Sequence, residues 1–193
     1  MMVHLADIHR HPVKGWTPES LERVTVETGG GLPLDRHFAF TSGRREEKPV
    51  SGGWVQARTF LQLTVFPELA AFGASLDDSG LLRITAPDGS SASARAGEPD
   101  GFDEANAFIG QHFEPGPYGA PYLVEQVAGR GHWDFTDTSI SLINLESVSV
   151  IAEAAGQPLE RERFRGQPVS RWPSCLGGVR LAGTETDHRR CRA

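Results

Sequence analysis

Hydrophobic and polar residues alternate in several short runs along the chain, and each run predicts a β-strand with one buried face. Glycine, proline and other turn-forming residues separate the runs, while 60–76 is compatible with either a helix or a strand. Many short strands with few helices predict a β-rich α+β fold, a barrel-like architecture with added helices. The predicted strands cover residues 3–9, 21–26, 37–40, 81–85, 93–95 and 122–124.

Two segments have the spacing of amphipathic helices. In 103–113, four residues share one face: Ala105, Phe108, Ile109 and His112. In the second segment, Asn144 is a suitable N-cap and Gly156 a suitable left-handed C-cap, with Pro158 just beyond. The sequence therefore predicts a helix over about 145–155. Its apolar face consists of Leu145, Val148, Ile151, Ala152 and Ala155.

Composition and charge exclude several classes of protein. The 193 residues include 38% hydrophobic and 23% charged residues, as in an ordinary globular protein, and the net charge of −6 gives no support for nucleic-acid binding. No apolar run reaches membrane-spanning length, and the N-terminus does not have the pattern of a signal peptide. We therefore expect a cytoplasmic location, with neither nucleic acid nor membrane as a partner. The only cysteines, Cys175 and Cys191, form no disulfide framework.

A few polar residues are candidates for chemistry on their own. His9 and His11 point to one face of a predicted strand, as metal ligands sometimes do, but without a third ligand nearby we favour packed or exposed histidines. The spacing of Asp35 and Arg36 favours a surface ion pair. In an extended segment 163–165 (Arg-Phe-Arg), both guanidinium groups point to one side and match a phosphate, although a solvated pair fits equally well.

Taken in order along the chain, four segments resemble the MOSC-domain proteins. Residues 11–15 (His-Pro-Val-Lys-Gly) and 31–39 (Gly-Leu-Pro-Leu-Asp-Arg-His-Phe-Ala) resemble the N-terminal β-barrel of that family. Residues 139–145 (Ser-Ile-Ser-Leu-Ile-Asn-Leu) and 163–165 resemble the start of the MOSC domain proper. The family takes its name from the C-terminal domain of molybdenum-cofactor sulfurase, and the amidoxime-reducing molybdoenzymes share it.

The resemblance implies three regions and a fold. Residues 1–125 correspond to a MOSC N-terminal β-barrel-like region, 126–166 to the start of the MOSC domain, and 167–193 to an atypical tail. The implied fold is a MOSC-type β-barrel with added helices, in which we expect the C-terminal strands to be missing or disordered.

The resemblance also implies a cofactor, the molybdenum cofactor, whose molybdopterin carries a phosphate that needs fixed cations. The best candidates to hold the phosphate and pterin are Lys14, Arg36 and Arg165. Hydrogen bonds from Ser139 and Asn144 and the helix N-terminus after Asn144 would add to the site. Two further arginines, Arg58 and Arg163, occupy matching positions. Pyridoxal phosphate, often associated with this family, belongs to a separate desulfurase domain that the resemblance does not cover.

Two activities are implied by the resemblance. The chain would be a molybdenum-cofactor-dependent oxidoreductase acting on N-hydroxylated compounds, or a sulfur carrier in cofactor maturation. Because the chain has no iron–sulfur cysteine cluster, a reductase activity needs a separate electron-transfer protein. For the sulfur-carrying role the implied partner is a sulfur-donor protein. Two alternatives stay open. One is a truncated, non-functional remnant that folds only its N-terminal barrel and has lost the cofactor. The other is a small anion-binding β-barrel unrelated to molybdenum.

The resemblance stops at Gly166, and three explanations of the tail remain open. The tail is a real product, the result of a shifted reading frame, or the sequence beyond an internal deletion. We favour the shifted frame, which predicts that residues 167–193 pack poorly. After a deletion, Cys191 in the Arg-Cys pair would be the thiolate ligand of the metal, in keeping with the soft-ligand preference of molybdenum.

Overall fold

A computed structural model of the protein describes residues 4–43, 54–126, 131–136 and 139–171. The chain divides into two compact units. The first unit consists of Met1–Ile8 and Ile140–Ala193, and the second of His9–Ser139. The domain boundaries expected from the sequence, at 125 and 166, are not tested by this division and stay a prediction.

The described residues contain nine strands and two α-helices. The strands are β1 (His4–Arg10), β2 (Glu19–Ser20), β3 (Phe38–Phe40), β4 (Gly73–Leu76), β5 (Leu81–Thr85), β6 (Ser91–Arg95), β7 (Leu123–Glu125), β8 (Ile143–Asn144) and β9 (Pro168–Arg171). The helices are α1 (Asp103–His112) and α2 (Leu145–Ala155). Short 3-10 turns cover Ala57–Thr59, Pro67–Ala71, Pro99–Gly101 and Arg161–Phe164.

In the second unit, β4, β5 and β6 form an antiparallel meander that packs against α1. Along β5 the side chains alternate, so that Leu82 and Ile84 are fully buried while Arg83 and Thr85 are exposed. Helix α1 buries Ala105, Phe108 and Ile109, as its spacing predicts, and so covers the hydrophobic face of the meander. The meander and helix therefore provide one side of the core of this unit.

A second layer of the same unit positions the candidate site. Strand β3 pairs antiparallel with β7, and Val13 forms a parallel bridge with Phe38. Trp16, which is 1% exposed, stacks on Phe40 with ring centroids 5.3 Å apart. These buried contacts fix the turn 11–16 against β3 and so determine where its polar side chains lie.

In the first unit, the initial half of β1 pairs antiparallel with β9, and β9 pairs parallel with β8. Helix α2 follows β8 directly. The predicted caps are confirmed: the Asn144 side chain accepts a hydrogen bond from the Glu146 backbone N–H, and Gly156 is left-handed at φ 66°. Of the predicted apolar face, only Val148 is buried, and Ile151 remains 46% exposed.

Two expectations about secondary structure are wrong. Residues 21–26 form no strand, because the pairing of β2 with β1 ends at Ser20 and Val26 is 43% exposed. Alternation predicts a strand only where a partner strand and a core face are available. The segment 163–165 is not extended either, since Arg161–Phe164 forms a 3-10 turn and Arg165 is left-handed at φ 52°.

The expectation that the tail packs poorly from residue 167 onward is wrong for its first five residues. Gln167 and Val169 are buried, and β9 has a partner strand on each side. Gln167 exchanges hydrogen bonds with Ser141: its backbone N–H donates to the Ser141 carbonyl at 2.9 Å, and its side-chain oxygen accepts from the Ser141 N–H at 2.7 Å. The expectation for 172–193 lies outside the described residues, as does most of the loop 42–53.

The fold class is α+β: the described residues form one mixed sheet, two antiparallel sheets and two α-helices. Within the described ranges the strands do not close into a barrel. None of the described helices has both the length and the apolar character needed to cross a membrane.

The cap of α2 leads to a prediction about stability. Replacement of Asn144 by Ala removes the acceptor for the Glu146 N–H and should lower the free energy of unfolding by about 1 kcal/mol. Urea unfolding monitored by circular dichroism measures this change. Asn144→Asp, which keeps a capping oxygen, should retain the wild-type stability, and an equal loss in both variants would contradict the capping role.

Candidate functional site

Two cations that lie 22 positions apart in the sequence occupy neighbouring backbone segments of the second unit. The Lys14 N–H donates to the Phe38 carbonyl at 2.8 Å, and the Arg36 N–H donates to the His11 carbonyl at 2.6 Å. The segment 11–14 therefore runs alongside 36–38, with Lys14 and Arg36 on adjacent stretches. Both side chains lie largely out of solvent, with 7% of Lys14 and 11% of Arg36 exposed.

Both cations contact one short segment, Gly131–Asp134, which we call the strap. The Lys14 ammonium donates to the His132 carbonyl at 2.9 Å and to the Asp134 carboxylate at 2.5 Å. The His132 N–H donates to the Arg36 carbonyl at 2.7 Å. The Arg36 guanidinium lies 4.5 Å from the centroid of the Trp133 ring, in a cation–π arrangement. The strap therefore contacts both cations.

Gly131 allows the strap to approach this closely. Its φ is +67°, and a Cβ at this position would lie 2.4 Å from the Asp35 carbonyl oxygen and 2.9 Å from the Trp133 indole nitrogen. Both the backbone angle and the lack of space exclude a side chain here. The position therefore requires glycine if the strap is to contact 35–36.

Asp35 and Arg36 form a buried ion pair, so the expectation of a surface pair is wrong. The Asp35 side chain is fully buried, and its carboxylate also accepts a hydrogen bond from the His11 N–H at 2.7 Å. Arg36 adopts a left-handed backbone at φ 53°, which turns the chain so that its guanidinium lies over Trp133. Asp35 thus acts as a clamp that holds 11 and 36 in place.

His132 is neutral in this site. Burial, with lesser Coulombic effects of Lys14 and His37, lowers the pKa of His132 to about 3, although its hydrogen bond with the Val124 backbone acts in the opposite direction. Its ring packs edge-on against Phe60 at 4.7 Å. His132 therefore adds no positive charge beside Lys14 at neutral pH.

A pocket of about 330 Å³ opens beside the strap. The walls include residues of the glycine-rich loop, Trp133 and His37, whose imidazole is hydrogen-bonded to Glu125 at 2.8 Å. Its lining residues are Glu27, Gly30, Gly31, Leu32, Pro33, Leu34, Asp35, His37, Gly131 and Trp133. The pocket is large enough for a small ligand, which would contact Trp133 and the backbone neighbours of Arg36, Asp35 and His37.

The other predicted site residues are spread over both units. In the second unit, Arg58 is exposed in the 3-10 turn Ala57–Thr59, and Ser139 is exposed after a gap in the described chain. In the first unit, Asn144 caps α2, Arg163 is mostly exposed and lies 3.8 Å from Glu160, and Arg165 is half-buried. Of the predicted set, the structure brings Lys14 and Arg36 together within one unit.

The candidate metal ligands do not form a site among the described residues. His9 and His11 are both buried, and no group of three histidine, cysteine or carboxylate side chains in the described ranges has the geometry of a metal centre. The packed interpretation of the two histidines is therefore the better one. Cys191 lies outside the described residues.

Sequence reasoning missed the strap. His132, Trp133 and Asp134 lie in a stretch without hydrophobic periodicity, where no strand or helix was predicted. The only local indication of the strap is its sequence, Gly-His-Trp-Asp. A glycine there precedes three side chains that can all take part in polar or cation–π contacts. Its partners, Lys14 and Arg36, are about a hundred positions away, so their contact is a result of the tertiary structure.

Comparison with known proteins gives one family. The profile of the MOSC N-terminal beta barrel domain matches residues 2–115, which is more than half of the chain and includes Lys14, Arg36 and Arg58. No curated protein and no solved structure matches the chain significantly.

Proposed function

Because the chain belongs to the family of the MOSC N-terminal beta barrel domain, whose members are generally related to the molybdenum cofactor, we propose that it binds the molybdenum cofactor through the phosphate of its molybdopterin. In this proposal the matched part is a MOSC-type β-barrel, and the start of the MOSC domain comes next, over 126–166. Lys14 and Arg36 are the central phosphate-binding residues.

The observation that carries the proposal is the pairing of these two cations. The backbone bonds between 11–14 and 36–38 hold an ammonium and a guanidinium on adjacent segments inside the matched region. Cations with fixed positions and little solvent are what a phosphate requires, since charge-assisted hydrogen bonds strengthen when water is excluded. Trp133 beside Arg36 adds a flat apolar surface of the kind on which a planar heterocycle stacks.

The residues present fit the phosphate part of the cofactor, on the condition that Asp134 leaves Lys14 when the phosphate binds. Each cation already has a carboxylate partner, Asp134 for Lys14 and Asp35 for Arg36. Asp35 is fully buried and also holds His11, so it stays in place, whereas the Asp134 side chain is 64% exposed and has room to move into solvent. The thiolate that the metal would need, Cys191 in the proposal, lies outside the described residues.

The family correspondence also proposes further cofactor-binding residues. Arg58, Ser139, Asn144, Arg163 and Arg165 are proposed to bind the phosphate and pterin by the same family correspondence. Asn144 has a physical argument of its own, because the backbone N–H groups at the start of α2 favour an anion.

For the activity we propose either of two reactions. When bound, the cofactor supplies two-electron redox chemistry for N-hydroxylated compounds or carries sulfur during its own maturation. The residues of the site bind and orient it: Lys14 and Arg36 through charge, and Trp133 by stacking. A separate electron-transfer or sulfur-donor protein is the proposed partner, and the cytoplasm the proposed location.

One observation favours a second candidate, a remnant that folds but binds no cofactor. The two carboxylates neutralise both cations, so the site is electrically balanced without a ligand. In such a remnant, Lys14 and Arg36 would serve only to form these internal ion pairs.

Metal and pterin content separate the two candidates. The protein, purified from a host that makes the cofactor, should contain molybdenum and pterin in equal amounts. Lys14→Met and Arg36→Met should each reduce both contents at least about ten-fold, because each removes a charge-assisted hydrogen bond of roughly 1.5–3 kcal/mol. Elemental analysis gives the molybdenum, and fluorescence after oxidation gives the pterin.

Arg83→Met is the matched control, since Arg83 is exposed on β5 and lies in the same unit. This variant should keep the wild-type contents, and circular dichroism checks that all variants are folded. Wild-type protein without molybdenum would favour the remnant, and full contents in the Lys14 and Arg36 variants would move the site elsewhere.

A further inference from the structure

We infer that the strap is an internal competitor for the anion site: the Asp134 carboxylate holds the position on Lys14 that a phosphate would take, and a phosphate-bearing ligand binds by displacing it. This inference rests on the proposed function, because it concerns the same two cations. It adds a step to the proposed binding: Asp134 must leave Lys14 before the phosphate can take its place.

The contacts of Lys14 support the inference. A lysine ammonium has three N–H donors, and the strap accepts from two of them, through the His132 carbonyl and the Asp134 carboxylate. Oxygen acceptors around a buried ammonium are what the oxygens of a phosphate would provide. Since Lys14 is only 7% exposed, a ligand from solvent reaches its ammonium on the side that Asp134 occupies.

The exposure of the partners gives the direction of the exchange. Asp134 is 64% exposed, so its carboxylate loses little hydration in the closed state and recovers full hydration when it leaves. A phosphate carries about −1.5 to −2 charges at neutral pH, against −1 for the carboxylate. Lys14 therefore attracts a phosphate more strongly than it attracts Asp134.

The strap has a second attachment point, at Arg36. Trp133 stacks on the Arg36 guanidinium, and the Trp133 carbonyl accepts a hydrogen bond from the Trp54 indole at 3.1 Å. Displacement of Asp134 moves the residue next to Trp133 and so should change the environment of the Trp133 ring. Binding at Lys14 and a response at Trp133 are thus two signatures of one event.

The composition of the chain makes the test selective. Lys14 and Lys48 are its only lysines, so labelling with ¹³Cε-lysine gives two signals, which the Lys48→Arg variant assigns. Labelling with 5-fluorotryptophan gives four ¹⁹F signals, and Trp133→Phe assigns the relevant one. Inorganic phosphate is the probe, titrated against chloride at constant ionic strength.

The expected result has two parts. In the wild-type protein, the Lys14 and Trp133 signals should shift with the same midpoint, while the buried Trp16 signal stays unchanged. In Asp134→Asn, phosphate should bind Lys14 about ten-fold more tightly, because the competing closed state is lost. Asp78→Asn, on the exposed turn between β4 and β5, is the matched control and should bind like the wild type.

The outcomes that overturn the inference are distinct from those that overturn the proposed function. A Lys14 shift without a Trp133 shift, or equal or weaker binding in Asp134→Asn, would contradict the competitor role of Asp134. Either result would still be consistent with an anion site at Lys14. If phosphate does not shift the Lys14 signal in any variant, both the competitor role of Asp134 and the anion site at Lys14 are contradicted. Should Asp134→Asn not fold, the joint Lys14 and Trp133 titration of the wild-type protein still decides the inference.

Discussion

Acidification from pH 7 to pH 4.5 should destabilise this protein, with His132 as a principal cause. The pKa of His132 is about 3 in the folded chain, against an ordinary value of 6.5, mainly because the ring is buried. Below pH 6.5 the unfolded chain therefore binds a proton at His132, whereas the folded chain leaves His132 unprotonated down to about pH 3. Stability is fully present above pH 6.5 and falls by about 1.4 kcal/mol for each pH unit down to about pH 3, so that roughly 3 kcal/mol is lost by pH 4.5.

Urea unfolding at pH 7, 5.5 and 4.5 measures this loss, and His132→Phe isolates its source. Phenylalanine keeps the packing against Phe60, and the bond from Lys14 to the backbone carbonyl of residue 132 does not need the imidazole. The variant should therefore lose much less stability on acidification than the wild type. His4→Phe, at an exposed position of β1, is the control and should retain the full pH dependence. An unchanged slope in His132→Phe would contradict the assignment.

Replacement of Asp35 by Ala should cost about 3–5 kcal/mol of the free energy of unfolding. The substitution leaves the Arg36 guanidinium, which is 11% exposed, without its carboxylate, and it leaves the His11 N–H without its acceptor in the interior. Both consequences arise at the point where 11–14 and 36–38 are held together. We therefore expect the cation pair of the proposed site to be lost along with the stability.

Asp35→Asn separates the charge from the hydrogen bond. Its side-chain oxygen still accepts from the His11 N–H, so the loss should be smaller, on the order of 1–3 kcal/mol. Removing the stranded cation as well, in Asp35→Ala with Arg36→Met, should recover part of the stability because no uncompensated buried charge remains. Asp78→Ala serves as the exposed control. A change below about 1 kcal/mol in Asp35→Ala would show that the buried pair does not hold the turn.

Local features of this chain could be predicted because their physical causes are local. The bounds of α2 are set by Asn144 at its start and Gly156 at its end, and both residues act on backbone groups within one turn. The hairpin of β5 and β6 is likewise predicted by alternation on both sides of the turn at 87–89. For such elements the stabilising partner is only a few residues away.

Segments whose conformation depends on distant partners were predicted poorly. Residues 21–26 alternate like a strand but have no neighbour to pair with, whereas 168–171 lack a clear pattern and become β9 because β1 and β8 flank them. Backbone pairing needs a partner of matching register, and a single segment carries no information about that partner.

By itself, the sequence determined the family, the two helices and the hairpin, and it identified Lys14 and Arg36 as candidate site residues. Only the tertiary structure decided that Asp35 is buried, that the strap reaches Lys14, and that Trp133 covers Arg36. The physical reason is that burial and electrostatic partners are properties of the packed chain. A carboxylate next to an arginine in sequence reads the same whether water surrounds the pair or the core does.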